Sequence, residues 1–249
     1  MLKITWLGHA CWMLDTGSMK VLVDPFLSQS PTAPCSPEQV DADVLLITHG
    51  HVDHILDAAA IAKRCNSLCV ANYEIATWLT SKQGVAKTIG MNLGGWAKLP
   101  EGRVKMTIAH HSSELPDGTY GGQPSGFLLE LPGVRVYVAG DTALFSDMQW
   151  ISPSGIDVAI LPIGDLFTMG PEDSLQAIEW LKPRWVFPSH FNTWPPIAQA
   201  TGSLGPPRRS IAHEPPAVGK GGSWGVSLPS EGVASGNSTQ IFPSSSHTL

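Results

Sequence analysis

Short apolar, β-branched runs recur along the chain: Lys3–Trp6, Met19–Val23, Val44–Thr48, Ser67–Ala71, Val104–Ala109, Phe127–Leu131, Val134–Ala139, Val158–Ile163 and Trp185–Pro188. Each is bounded by Gly, Pro, Asp or Asn, residues that end strands, so each run predicts a strand. Leu131-Pro132-Gly133-Val134 joins two of them through a Pro-Gly turn and predicts a hairpin. Helical patterns fall between the strands. Asp53–Cys65 is rich in Ala and Ile, and Tyr73–Lys82 follows Asn72, a good N-cap. Pro171–Leu181 opens with Pro, places Glu172 and Asp173 against the helix dipole, and stops before Pro183. Strands lead and helices come later, which suits an α/β fold of two sheets with helices outside better than a simple βαβ wheel.

Past about residue 200 the pattern disappears. Gly, Ser and Pro make up about half of Thr201–Leu249, and such a segment cannot bury enough apolar surface to offset its ordering entropy. The expected organisation is one domain over residues 1–200 and an irregular or loosely docked tail over 201–249. The tail's composition resembles a shifted reading frame or a replaced terminus. Gly205-Pro206-Pro207-Arg208-Arg209 would alternatively serve as a Pro-rich recognition segment.

Composition narrows the partners. The 249 residues carry 14% charged and 43% hydrophobic side chains and a net charge of -6. Lys and Arg are scattered, with no basic footprint for nucleic acid. No run reaches the ~18 apolar residues of a spanning helix, and the N-terminus lacks the h-region of a signal peptide. The expected partner is a small-molecule substrate, met in the cytoplasm, with self-association left open. Cys11, Cys35, Cys65 and Cys69 are irregularly spaced and read as small hydrophobes.

The informative stretch is Thr48-His49-Gly50-His51-Val52-Asp53-His54, between a buried strand and a helix. No single face of a strand or helix presents four ligand-type side chains within six residues, but a strand-to-helix loop can curl them around a cation. Imidazole nitrogen mixed with carboxylate oxygen suits zinc, and also iron or manganese. Further candidates stand at later strand ends: His110 and His111, Asp141 in Gly140-Asp141-Thr142, and His190 in Ser189-His190-Phe191-Asn192.

That order of residues resembles the metallo-β-lactamase superfamily. Leu7-Gly8-His9-Ala10, Val23-Asp24-Pro25-Phe26, His111-Ser112-Ser113, Thr168-Met169-Gly170-Pro171 and His190-Phe191-Asn192-Thr193 resemble its branch of small metal-dependent hydrolases, including ascorbate-6-phosphate lactonase-like proteins. The resemblance spans about residues 1–196 and implies a four-layer αββα sandwich. It also implies two divalent metal ions. His49, His51 and His111 would hold one, Asp53, His54 and His190 the other, with Asp141 between them. Asp24 would support the ligand loop, or be an ordinary strand-end Asp. His9 would line the site, or be a buried structural His.

The chemistry expected is attack by a metal-activated water on a small ester, lactone or phosphoester, with Asp53 orienting the water. His9 and His110 are the candidates for a leaving-group acid. Phosphodiesterase or nuclease activity on the same fold, and a metal-binding scaffold without catalysis, are the alternatives. A redox di-iron protein would carry Glu where His51 stands. Trp96, Trp150 and Trp194 would either line a pocket or pack in the core.

Overall fold

A computed structural model describes residues 2–199 and 222–226. Its strands are β1 Leu2–Trp6, β2 Trp12–Asp15, β3 Lys20–Val23, β4 Val44–Leu46, β5 Leu68–Asn72, β6 Thr88–Met91, β7 Trp96–Lys98, β8 Arg103–Ile108, β9 Ser125–Leu131, β10 Val134–Val138, β11 Val158–Pro162, β12 Trp185–Ser189 and β13 Gly222–Val226. Its helices are α1 Val52–Ile55, α2 Ala58–Cys65, α3 Tyr73–Ser81 and α4 Pro171–Leu181. One sheet runs β13-β1-β2-β3-β4-β5-β6, the other β12-β11-β10-β9-β8-β7.

The strands are apolar on both faces because both faces are covered. Val21, Val23, Val44 and Leu46 turn inward to meet Met106, Phe127, Leu129, Val136, Val138 and Ile160 of the other sheet. The alternate residues Leu22, Leu45 and Cys69 face outward onto Ile61, Ile75 and Leu79 of α2 and α3. On the second sheet Tyr137, Ala159 and Leu161 pack outward with Ala177 and Leu181 of α4. The result is the four-layer αββα sandwich. Among the described residues no helix is long and apolar enough to cross a membrane.

Within the domain, three strands were not anticipated. The N-terminal run is two strands, because Gly8 (φ 94°) and His9 (φ 51°) take left-handed backbone and fold β2 back antiparallel onto β1. β6 and β7 are short, partly exposed outer strands with too little apolar signal to read. The helix expected over Asp53–Cys65 breaks after Ile55. The Asp57 carboxylate accepts from Leu27 N (2.6 Å) and Ser28 N (2.9 Å), and Asp57 N donates to Pro25 O. Those ties hold the loop after β3 and pull the backbone out of helix at the junction.

Within the tail, β13 pairs antiparallel with β1, from Leu2↔Val226 to Trp6↔Gly222. At these five residues the expected irregular chain is a strand that covers the β1 edge. The Pro-rich segment and the rest of the tail lie outside the described residues.

Candidate metal centre

All strands that deliver candidate ligands end on one side of the sandwich. β3, β4 and β5 run parallel, as do β10, β11 and β12, and β8 shares their direction through β9. The loops after β1, β3, β4, β8, β10 and β12 therefore converge. Main-chain bonds tie the two sheets together there. His9 O accepts from Trp6 Nε1 (2.9 Å) and His190 N (3.1 Å), and Thr48 O accepts from Ser125 N (2.9 Å). Trp6 stacks on Phe191 (5.4 Å between centroids) and Trp12 Nε1 donates to Ser189 Oγ (3.0 Å), forming an aromatic floor.

The sequence candidates come together in this convergence. His49 Nε2 lies 3.0 Å from His51 Nδ1, and the His111 ring centre is 5.1 Å from each of those rings. Asp141 Oδ2 lies 3.0 Å from His190 Nε2, 3.3 Å from His54 Nε2 and 3.7 Å from His111 Nε2. Asp53 Oδ2 is 3.8 Å from both His54 Nε2 and His190 Nε2. Donor atoms group within 4.8 Å as His49/His51/His111, as His9/Asp53/His54/His190, and as His49/His54/Asp141, so the two lobes meet at Asp141.

Two atoms at the meeting point test whether a cation fits. His54 Nε2 and Asp141 Oδ1 are buried and make no hydrogen bond. An unpaired buried polar atom costs about 1–3 kcal/mol. Two such atoms, both of ligand type and converging with four more imidazoles, are what a cation would satisfy. The residues present fit divalent metal.

Electrostatics sort the side chains. Burial holds His49 well below the usual imidazole range, and burial also lowers His51 and His111, so this lobe is neutral and ligand-ready. Burial also opposes charge on His54, yet Asp141, Asp24 and Asp53 outweigh it and raise His54 well above the usual value. In the same way Asp141 overcomes burial at His190 and lifts it to about 9. Asp141 and Asp53 are held below the ordinary carboxyl range: burial alone would raise them, but His54 and His190 outweigh it.

Behind the ligands stands a layer of support. Asp24 Oδ2 is 2.9 Å from His54 Nδ1 and accepts from Thr48 Oγ1 (2.7 Å), while Asp24 Oδ1 accepts from Thr48 N (2.8 Å). Burial raises the Asp24 carboxyl, and the contacts with His54 and Thr48 oppose that rise. His9 is fully buried, its Nε2 3.0 Å from Asp53 Oδ2 and its Nδ1 2.7 Å from Thr193 Oγ1. Burial lowers His9 to about 4. Since the Asp53 carboxylate only accepts, neutral His9 carries its proton on Nε2 and takes the Thr193 hydroxyl proton at Nδ1. His9, Asp24 and His190 all have positive φ (51°, 46° and 51°), a conformation costing about 1–2 kcal/mol each, concentrated where the site needs these directions.

Thr48, Thr193 and Ser113, which docks its hydroxyl on Gly50 N (3.0 Å), were not singled out from sequence. Each lay within a motif, Thr48 at the head of Thr48–His54, Ser113 in His111-Ser112-Ser113 and Thr193 in His190-Phe191-Asn192-Thr193, with no role of its own assigned. His110 is exposed and sets its ring edge-on to Phe145, away from the cluster, as alternation after β8 requires. Trp96 lies exposed under the Arg103 guanidinium, and Trp150 is 73% exposed, so neither packs in the core. Trp194 sits edge-on to His9 at 5.0 Å.

Gly164 shows how tightly the site is built. A Cβ there would lie 2.3 Å from His190 O and 3.1 Å from His190 Nδ1. Gly164→Ala is expected to displace His190 and destabilise the fold by about 1–3 kcal/mol, the usual cost of overpacking. Parallel thermal melts and metal titrations check this: a variant with unchanged melting and metal uptake would contradict it. A cavity of about 450 Å³, lined by His51, Val52, Ser112, Ser113, Glu114, Leu115 and Pro116, opens beside the first lobe.

Residues 3–190 match the family model described as Beta-lactamase superfamily domain. The UPF0173 metal-dependent hydrolase of Thermus thermophilus is 49% identical over 199 residues, 80% of this chain and 88% of its own length. Its counterpart in Geobacillus thermodenitrificans is 46% identical over 232 residues, 91% of this chain and 99% of its own. Igni18, a metallo hydrolase from the archaeon Ignicoccus hospitalis, superposes with a TM-score of 0.73 at 36% identity, covering 82% of this chain and 88% of that one. With these relatives and this arrangement of His and Asp side chains, the chain belongs to the metallo-β-lactamase superfamily and, within it, to the UPF0173 metal-dependent hydrolase family.

Proposed function

We propose that this protein hydrolyses a small ester, lactone or phosphoester with two divalent cations, zinc in first place and manganese or iron sharing the same donor preferences. His49, His51 and His111 would hold one, Asp53, His54 and His190 the other, and Asp141 both. The observation that carries the reading is the pair of buried atoms that make no hydrogen bond, His54 Nε2 and Asp141 Oδ1, where the two ligand lobes meet. Two such cations supply Lewis acidity and acidify a coordinated water.

The chain's own groups do the positioning. Asp53 is the one carboxylate of the cluster with an appreciably open side chain, 26% exposed against 3% for Asp141, so it orients the attacking water from the cleft. His9 acts through Asp53. Buried behind it and tied to Thr193, His9 fixes the carboxylate's direction without reaching a leaving group. His110 faces Phe145, which takes it out of the leaving-group role. The four cysteines are free, which suits a reducing compartment, and we place the protein in the cytoplasm.

Metal uptake should depend on pH. His190 must lose its proton to act as a ligand, so below about pH 9 each cation bound there displaces a proton. Apparent affinity is expected to rise with pH through about 9, read by chelator competition at several pH values. A pH-independent affinity would count against His190 as a ligand. The function itself is tested by elemental analysis followed by ester, lactone and phosphodiester panels. Turnover that tracks metal content supports the proposal; a metal-loaded protein inert on every panel favours a non-catalytic scaffold.

A further inference from the structure

The cavity beside His51 and the distribution of charge around it bear on which substrate is taken. At about 450 Å³ it matches the volume of small-molecule sites. Val52 and Pro116 are its exposed apolar members and Leu115 is buried behind them, while Ser112, Ser113 and Glu114 are its polar members beyond His51. Ser112 Oγ lies 3.4 Å from His51 Nε2, so the cavity is continuous with the candidate centre.

Basic side chains occupy the opposite end of the sandwich. Arg64 pairs with Asp41 ahead of β4, Arg103 and Arg135 with Glu130 at the starts of β8 and β10, and Arg184 with Asp157 ahead of β12. Lys3 and Lys20 stand near the starts of β1 and β3, Lys82 and Lys182 at the ends of α3 and α4, and Lys105 mid-strand over Trp96. At the site end, apart from the imidazoles of the centre, the charged side chains are carboxylates, among them Asp24, Asp53, Glu114, Asp117, Asp141 and Asp165. Asp24, Asp53 and Asp141 are engaged with imidazoles, and Asp117 accepts from Trp78 Nε1. Glu114 is exposed on the cavity wall.

We propose that this cavity seats the body of an uncharged acyl compound, an ester or lactone without a phosphate group, and that Glu114 turns phosphorylated analogues away. The inference rests on the hydrolytic reading above and narrows it. It departs from the phosphorylated lactone that the sequence resemblance suggests. A phosphate bound along Ser112–Pro116 would meet the Glu114 carboxylate with no cation of the protein's own on that wall among the described residues. Val52 and Pro116, beside the Ser112 and Ser113 hydroxyls, accept an uncharged body without such a conflict.

The test uses the zinc-loaded full chain and a matched pair of non-hydrolysed amides, 3-phenylpropionamide and the same compound phosphorylated on the ring. Calorimetry on wild type and Glu114→Gln gives four dissociation constants. The neutral amide is expected to bind both proteins equally, and the phosphorylated one to gain about three- to tenfold in Glu114→Gln as the repulsion is removed. Phosphorylated amide bound as tightly as neutral amide by wild type, no gain in the variant, or no binding of the neutral amide would each overturn the proposal. The corresponding phenyl ester separates the two readings. Neutral binding without ester turnover upholds the substrate class and fails hydrolysis alone.

Discussion

Asp141→Ala is expected to remove most of the bound metal and to lower turnover by more than the roughly 10–100-fold that loss of a merely supporting residue brings. Asp141 is the carboxylate within 3.7 Å of three imidazoles from both lobes, and its Oδ1 is left for a cation. No neighbour can stand in for it, since Asp53 is anchored to His9 and reaches the second lobe only. The metal-free variant is also expected to lose about 3 kcal/mol, as breaking a buried ion pair does. The pH dependence follows from the direction of each shift. Asp141 is depressed below its unfolded value, so its contribution is present above about pH 4 and lost as acid protonates it. His190 is raised, so its contribution is full below about pH 6.5 and lost as pH rises through about 9. The stability gap between wild type and variant should therefore be widest between those limits and narrow as pH rises through about 9, with His54, raised by the same carboxylate, withdrawing its own share as it titrates. Elemental analysis and chemical denaturation of chelated protein check both parts. A variant retaining its metal and turnover would remove Asp141 from the centre.

What the sequence revealed and what it hid separate along physical lines. The ligand cluster was legible because His49, His51, Asp53 and His54 are too dense in donors to be an ordinary surface loop, and because every later candidate follows an apolar run. Strand ends converge in a two-sheet sandwich, so position after a strand was itself information. The support layer was not legible. Thr48 and Thr193 are common residues whose role exists only when β3 lies beside β4 and the loop after β12 folds over His9. The break in the helix at Asp57 was hidden for the same reason, since its cause is a partner thirty residues away. β6 and β7 escaped notice because outer strands need only one apolar face.

A geometric consequence follows for substrate entry. His49 and His54 are fully buried, while His51 and His111 of the first lobe and Asp53 of the second are only half-buried, so the centre opens toward solvent along these three. The cavity adjoins the first lobe through His51. Trp194 and the buried His9 close the second lobe from the other side. On the proposed hydrolytic reading, a scissile group would reach the centre over His51, with Glu114 and Ser112 in its path.

The second large effect is expected at Asp24, which never touches the centre itself. Its carboxylate accepts only, so the Thr48 hydroxyl must donate to it, and His54 must carry its proton on Nδ1. The Thr48 oxygen, having given its proton away, accepts from His49 Nδ1 at 3.0 Å. One carboxylate thus holds a proton on Nδ1 of two imidazoles and turns Nε2 of both into the centre, where a cation would take them. Asp24→Asn replaces one acceptor with an NH₂ group while keeping size and tolerance of the left-handed backbone at φ 46°. That amide would face either His54 Nδ1 or the Thr48 donors with a second donor. Relief then comes by moving the His54 proton to Nε2, where it blocks the ligand atom. Metal affinity is expected to fall about 10–100-fold, with thermal stability of the metal-free protein changed far less than in Asp24→Ala. The alanine leaves Thr48 N and His54 Nδ1 buried without an acceptor, at about 1–3 kcal/mol each. Thr48→Val separates the two arms, because it cuts the relay to His49 and leaves the Asp24–His54 contact in place. Nitrogen-15 imidazole shifts in the metal-free protein report the tautomers directly, and chelator competition reports the affinities. An Asp24→Asn protein whose His54 keeps its proton on Nδ1 and whose zinc affinity is unchanged would show that the ligands hold their orientation without this carboxylate.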